Sequence, residues 1–125
     1  MPTYDYRKTK IELPVFHWTV EVVITSQVLK YARHVGWRGS KGEETTRGIN
    51  MFFDEDLTTA IVIQPDATAG TIAHEAWHSV YRMLTHMGAA LDNETVAYHL
   101  GYLVEAITQF KRKPKKKKVD KKSNP

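Results

Sequence analysis

The chain has 125 residues, 42% of them hydrophobic and 10% aromatic, enough for one domain with a modest core. It has no cysteine, so disulfides and thiolate ligands are excluded and any metal must be held by His, Asp or Glu. The formal charge of +4 is uneven: residues 111–122 hold nine of the 18 basic residues, while residues 1–110 set nine basic groups against thirteen acidic ones, a net of −4, which argues against a basic DNA-binding body.

Met1 to Lys10 is polar and reads as a loose arm. It lacks a signal-peptide apolar region, and no apolar run approaches the roughly 20 residues that span a bilayer, so the expected setting is the cytoplasm, away from membranes. Phe16, Trp18, Val20, Val22 and Ile24 alternate with His17, Thr19, Glu21 and Val23, the period-2 pattern of a half-buried strand, predicted over Val15 to Thr25. Ser26 can cap a short helix through Val28, Ala32 and Val35 that ends at Gly36. His17 and His34, alone on a strand face and near a helix end, read as surface residues rather than ligands.

Arg38 to Gly48 has three glycines, many charges and no large apolar side chain, so it adds nothing to a core. It lacks a phosphate-cradling pattern and reads as a connection, or more sharply as a flap beside a cleft. Ile49 to Phe53 and Thr59 to Gln64 flank Asp54-Glu55-Asp56 and predict a hairpin. These carboxylates are not followed by the rest of a calcium-loop pattern, so they read as a solvated turn.

After the apolar run Ala60-Ile61-Val62-Ile63 comes a helix from Thr68 towards Gly88, with Asp66 or Thr68 as its cap. It carries His74-Glu75-Ala76-Trp77-His78, the H-E-x-x-H spacing that sets two imidazoles one turn apart, where one zinc ion fits. At about 100° per residue His74 and His78 share a face with Thr71, Tyr81 and Thr85, opposite an apolar stripe of Ile72, Ala73, Ala76, Val80, Met83, Leu84 and Met87. One side of the helix is therefore for the core and the other for chemistry.

Asp92 is a good cap for a last helix, Asn93 to Phe110, with Val96, Leu100, Leu103, Val104 and Ile107 as its buried stripe. Glu94 has the small Ala97 and Gly101 on its own face, which lets a neighbouring helix come close. His99 points about 140° away from Glu94, so the two are not joint ligands. Glu105 is the rival: in a tight helical hairpin it lies nearer the level of His74 and His78 than Glu94 does, provided the first helix runs unbroken to Met87.

His74-Glu75-x-x-His78 followed by Asn93-Glu94-x-x-Ala97-Tyr98 resembles the gluzincin class of zinc metallopeptidases, in which a glutamate opening a downstream helix is the third ligand. Glu94, Ala97, Leu100 and Gly101 are similar in spacing to the corresponding helix of the ImmA/IrrE-like peptidases, and the whole looks like small phage-encoded H-E-x-x-H proteins. The resemblance implies a minimal zincin-like α+β domain over 1–110, with a small, mainly antiparallel sheet of three or more strands packed on the two helices. Residues 111–125 would form a disordered lysine-rich tail.

It further implies Zn²⁺ held by His74, His78 and Glu94, with a peptide or protein as substrate. Glu75 would be the general base toward a metal-activated water, and Tyr98, Tyr81 or Arg82 would steady the oxyanion. The hairpin's outer strand would align a peptide by β-addition. Two other readings use the same residues: a zinc-stabilised binding module acting on a host protein, and a nucleic-acid-associated protein relying on weak, nonspecific phosphate contacts from the tail.

Overall fold

The sheet carries apolar residues on both faces, so each face needs a cover. A computed structural model describes residues 4–37, 47–53 and 56–113. In chain order the elements are β1 (Arg7–Leu13), β2 (Trp18–Ile24), α1 (Val28–His34), β3 (Gly48–Phe53), β4 (Thr58–Ile63), α2 (Ala69–His86) and α3 (Asn93–Arg112). The strands form one sheet in the order β1-β2-β4-β3. Trp18, Val20, Val22, Ile24, Ile61 and Ile63 turn to one face, which α2 and α3 cover with Ile72, Ala76, Val80, Met83, Leu84, Leu103 and Ile107. Val23, Ala60, Val62, Ile49 and Met51 turn to the other, covered by α1 through Val28, Leu29, Tyr31 and Ala32.

The result is an α+β domain with a mixed sheet. Two pairs are antiparallel, β1 with β2 and β3 with β4, so the predicted hairpin forms with Met51 opposite Ala60. The central pair, β2 with β4, is parallel. A parallel pair needs a long crossover, supplied by the chain through α1 and β3.

Three expectations are corrected. The arm Met1 to Lys10 is not loose from Arg7 onward, because β1 pairs along all of β2 and buries Ile11 and Leu13. Only those two residues carry its apolar signal, too few for a periodic pattern. Arg7 anchors it: Nη1 donates to the Lys113 carbonyl at 2.6 Å, Nη2 to the Lys111 carbonyl at 3.3 Å, and the guanidinium lies 5.0 Å over the Phe110 ring. It thereby satisfies carbonyls left open at the end of α3.

β2 begins at Trp18 rather than Val15, because Val15 and His17 take φ of +75° and +51° in the turn that returns the chain from β1. Ser26 makes no cap for α1; instead Thr25 Oγ1 accepts from the Gln27 amide at 3.1 Å.

The two later helices begin as the sequence predicts. Thr68 accepts from the Thr71 amide, and Asp92 accepts from the Thr95 amide and hydroxyl, both at 2.8 Å. Those donors hold the Asp92 carboxyl below its usual range. Gly88, at φ +67°, takes the left-handed conformation that stops α2. α3 runs on to Arg112, past the predicted end at Phe110. The 38–46 part of the predicted flap, Asp54-Glu55 of the acidic turn and residues 114–125 of the tail lie outside the described residues. Among the described residues no helix is long and apolar enough to cross a membrane.

Candidate metal centre

α2 packs over β4 and β3, and α3 lies alongside it towards β1. Burying Ile72, Ala76, Val80 and Met83 leaves His74 and His78 on the outer face, as predicted. Their Nε2 atoms lie 3.2 Å apart, with the rings at 80°. A tetrahedral zinc with bonds of about 2.0–2.1 Å holds two imidazole nitrogens about 3.3–3.4 Å apart. The pair therefore fits as two donors to one ion, although the same approach is a hydrogen bond when one ring carries its proton on Nε2. Partial desolvation, then the neighbouring His74 and Arg82, push the His78 pKa down, favouring the neutral ring that a metal requires.

Glu75, one position further around the helix, is turned inward to β3 and is 7% exposed. It rests against Gly48: a Cβ there would stand 3.1 Å from both Cγ and Oε2 of Glu75 and 3.3 Å from Cγ2 of Thr71. Burial pushes the Glu75 pKa up, opposed by the nearby His74. A carboxyl raised in this way is closer to the operating range of a general base.

A line of polar side chains fixes this part of α2 to the sheet. Asn50 Nδ2 donates to the Glu75 carbonyl at 3.2 Å and to Ser79 Oγ at 2.8 Å. Thr59 Oγ1 donates to Ser79 Oγ at 2.8 Å, and Trp18 Nε1 donates to Thr59 Oγ1 at 3.4 Å. Thr59 and Ser79 are fully buried, so removing one member would leave a partner unsatisfied. The sequence reading passed over Gly48, Asn50, Thr59 and Ser79. A faint signal existed: Asn50 interrupts an apolar strand, and Ser79 interrupts the apolar arc of its helix.

The histidines and Glu75 border an open cleft of about 470 Å³, lined by Trp37, Gly48, Ile49 and Asn50 on one side and by Tyr81 and Arg82 beyond His78. Tyr81 and Arg82 are thus brought to the site. Glu94, Tyr98, His99 and Glu105 are not among its lining residues. Glu94 and Glu105 are exposed on α3, and Tyr98 is exposed beside His99 and Tyr102. His99 is buried against the β1–β2 turn, its Nδ1 facing the Thr95 carbonyl at 2.8 Å and its Nε2 the Pro14 carbonyl at 3.2 Å. It points away from Glu94 as expected.

α2 is unbroken from Ala69 to His86. At about 1.5 Å per residue, His74 stands about 18 Å before the end of α2 and Glu105 about 18 Å after the start of α3, whereas Glu94 stands about 1.5 Å after it. By this count along the two helices alone, Glu105 lies nearer the level of the histidines than Glu94 does. Among the described residues no group of three or more His, Asp or Glu side chains is gathered at metal-binding distance.

Compared with protein-family models, curated proteins and solved structures, the chain matches none.

Proposed function

We propose that this chain is a minimal zincin-like peptidase, and that it hydrolyses peptide bonds at the cleft between α2 and β3. The observation that carries the reading is the convergence of the His74 and His78 Nε2 atoms, 3.2 Å apart, beside the buried carboxyl of Glu75. His74 and His78 would hold Zn²⁺ with one α3 carboxylate, Glu94 by resemblance or Glu105 by level. When bound, the ion supplies a Lewis acid that polarises the scissile carbonyl. Glu75, its pKa raised by burial, would take the proton of the attacking water and pass it to the leaving amine. Asn50 and Ser79 hold the helix turn from which Glu75 projects.

Among the described residues β3 is an edge strand of the sheet, and its Gly48, Ile49 and Asn50 line the cleft. Its outer backbone edge would align an extended peptide by strand addition. Tyr81, at the cleft wall, is better placed to steady a developing oxyanion than Tyr98, which resemblance alone suggests.

The deciding experiment is digestion of an unbiased peptide library by zinc-loaded wild type and Glu75→Gln in parallel, with elemental analysis of both. The amide is expected to retain one zinc per chain and to lose about 10²-fold or more in rate. Equal cleavage by both proteins would rule the reading out. Zinc bound by both with no cleavage by either would support a zinc-stabilised binding module. Comparing zinc affinity in Glu94→Ala and Glu105→Ala assigns the third donor, which is the residue whose loss weakens zinc more.

A further inference from the structure

Arg82 lies one helical turn beyond His78 and lines the same cleft as His74, Glu75 and His78. Its guanidinium rests over the Phe52 ring, 5.0 Å from the centroid. That ring is itself held, because Phe52 stacks on the buried Trp18 at 5.7 Å and 11°, and His86 meets both rings at 5.4 and 5.7 Å. An arginine settled on an aromatic face keeps the N–H donors of its planar edge for an anion and loses less freedom on taking one.

Among the described residues no carboxylate lies within ion-pair distance of Arg82, whereas Arg47, on the neighbouring rim, is paired with Asp66 at 3.8 Å. The Asn50 amide, which also faces the cleft, is engaged by the Glu75 carbonyl and Ser79. A cation held in place beside a cleft, with no counter-ion among the described residues, is suited to a planar anion of the size of a carboxylate.

Spacing limits where that anion sits in a substrate. Four residues of helix advance about 6 Å from His78 to Arg82. An extended peptide along β3 advances about 3.3 Å per residue.

We infer that Arg82 is the carboxylate-binding residue of the cleft, and that its ligands are peptides or peptide ends carrying a carboxylate one or two residues from the bond presented to Glu75, His74 and His78. The position of that bond rests on the peptidase reading above; the recognition of a carboxylate by Arg82 does not. The anion has two sources in a peptide, the C-terminal α-carboxylate and the side chain of Asp or Glu.

Three probes separate the sources: N-acetyl-trialanine, its C-terminal amide, and N-acetyl-Ala-Glu-Ala amide. Each is titrated by NMR into full-length protein stripped of metal with chelator, so that no ion can hold the carboxylate. At least one acid is expected to bind about tenfold more tightly than trialanine amide, and the tighter acid names the source. Arg82→Gln should erase the preference, and Arg82→Lys, which keeps the charge but not the fork, should lower it at least threefold. Equal binding of acids and amide by wild type overturns the assignment, as does a preference that survives Arg82→Gln in a folded protein. If Arg82→Gln fails to fold, an undiminished preference in Arg82→Lys overturns it instead. Acid preference without any peptide cleavage would leave Arg82 in its role and remove the peptidase reading; cleavage with equal binding of acids and amide would do the reverse.

Discussion

Glu75 is held in place by what surrounds it, and the tightest constraint comes from a residue with no side chain. A methyl group at Gly48 would press on the Glu75 carboxyl and on Thr71 at 3.1–3.3 Å, so the flexible end of Glu75 would have to yield by a few tenths of an ångström. On the proposed peptidase reading, Gly48→Ala is expected to lower turnover about tenfold while leaving zinc affinity and melting temperature nearly unchanged, since small misplacements of a reacting group are costly to rate and cheap to stability. A rate equal to wild type would show that the close approach has no catalytic role.

At the same scale, Tyr31 is 4% exposed and its pKa is pushed up to about 12, first by burial and then by Glu21, Tyr6 and Tyr4. The folded pKa exceeds the unfolded value of 10.0, so the fold favours the neutral phenol. The stabilisation is fully present below pH 10 and is lost as pH rises towards 12. Urea unfolding across that window should show a steeper loss for wild type than for Tyr31→Phe; parallel losses would contradict the assignment.

Among the elements, β1 has the plainest consequence. It was expected to be a loose arm, yet Leu13 is completely buried in the main core and Lys10, in the same strand, faces solvent. Leu13→Ala should cost about 2–5 kcal/mol, from lost transfer energy and the cavity left behind. Lys10→Ala should stay within about 0.5 kcal/mol. Chemical denaturation of the two variants tests this directly, and a small effect at Leu13 would restore the loose-arm reading. α2 combines two demands on one helix: its apolar arc fixes it on the sheet, while Ser79 breaks that arc to meet Asn50 and Thr59.

For the molecule as a whole, the basic run straddles the end of α3: Lys111 and Arg112 lie within the helix, and six of the run's lysines follow residue 113. Removing residues 114–125 is expected to leave melting temperature and any zinc content unchanged and to abolish any salt-sensitive binding to DNA or RNA, since phosphate contacts by lysine weaken steeply with salt. Binding that survives the truncation with the same salt dependence would place the nucleic-acid contacts on the folded body.

The sequence by itself determined the two histidines, the adjacent glutamate, the α2 and α3 helices with their Thr68 and Asp92 caps, and the β3–β4 hairpin. These are local: helical spacing, capping and alternation act over a few residues and can be read from neighbours. Only the tertiary structure decided that β1 is a strand, that β2 and β4 run parallel, that Gly48 and Asn50 brace the H-E-x-x-H turn, and that Arg82 shares the cleft while Glu94 and Tyr98 do not line it. Each of those depends on residues far apart in the chain meeting across the sheet or between helices. The energy of such a meeting lies in packing and hydrogen bonds that no local pattern records.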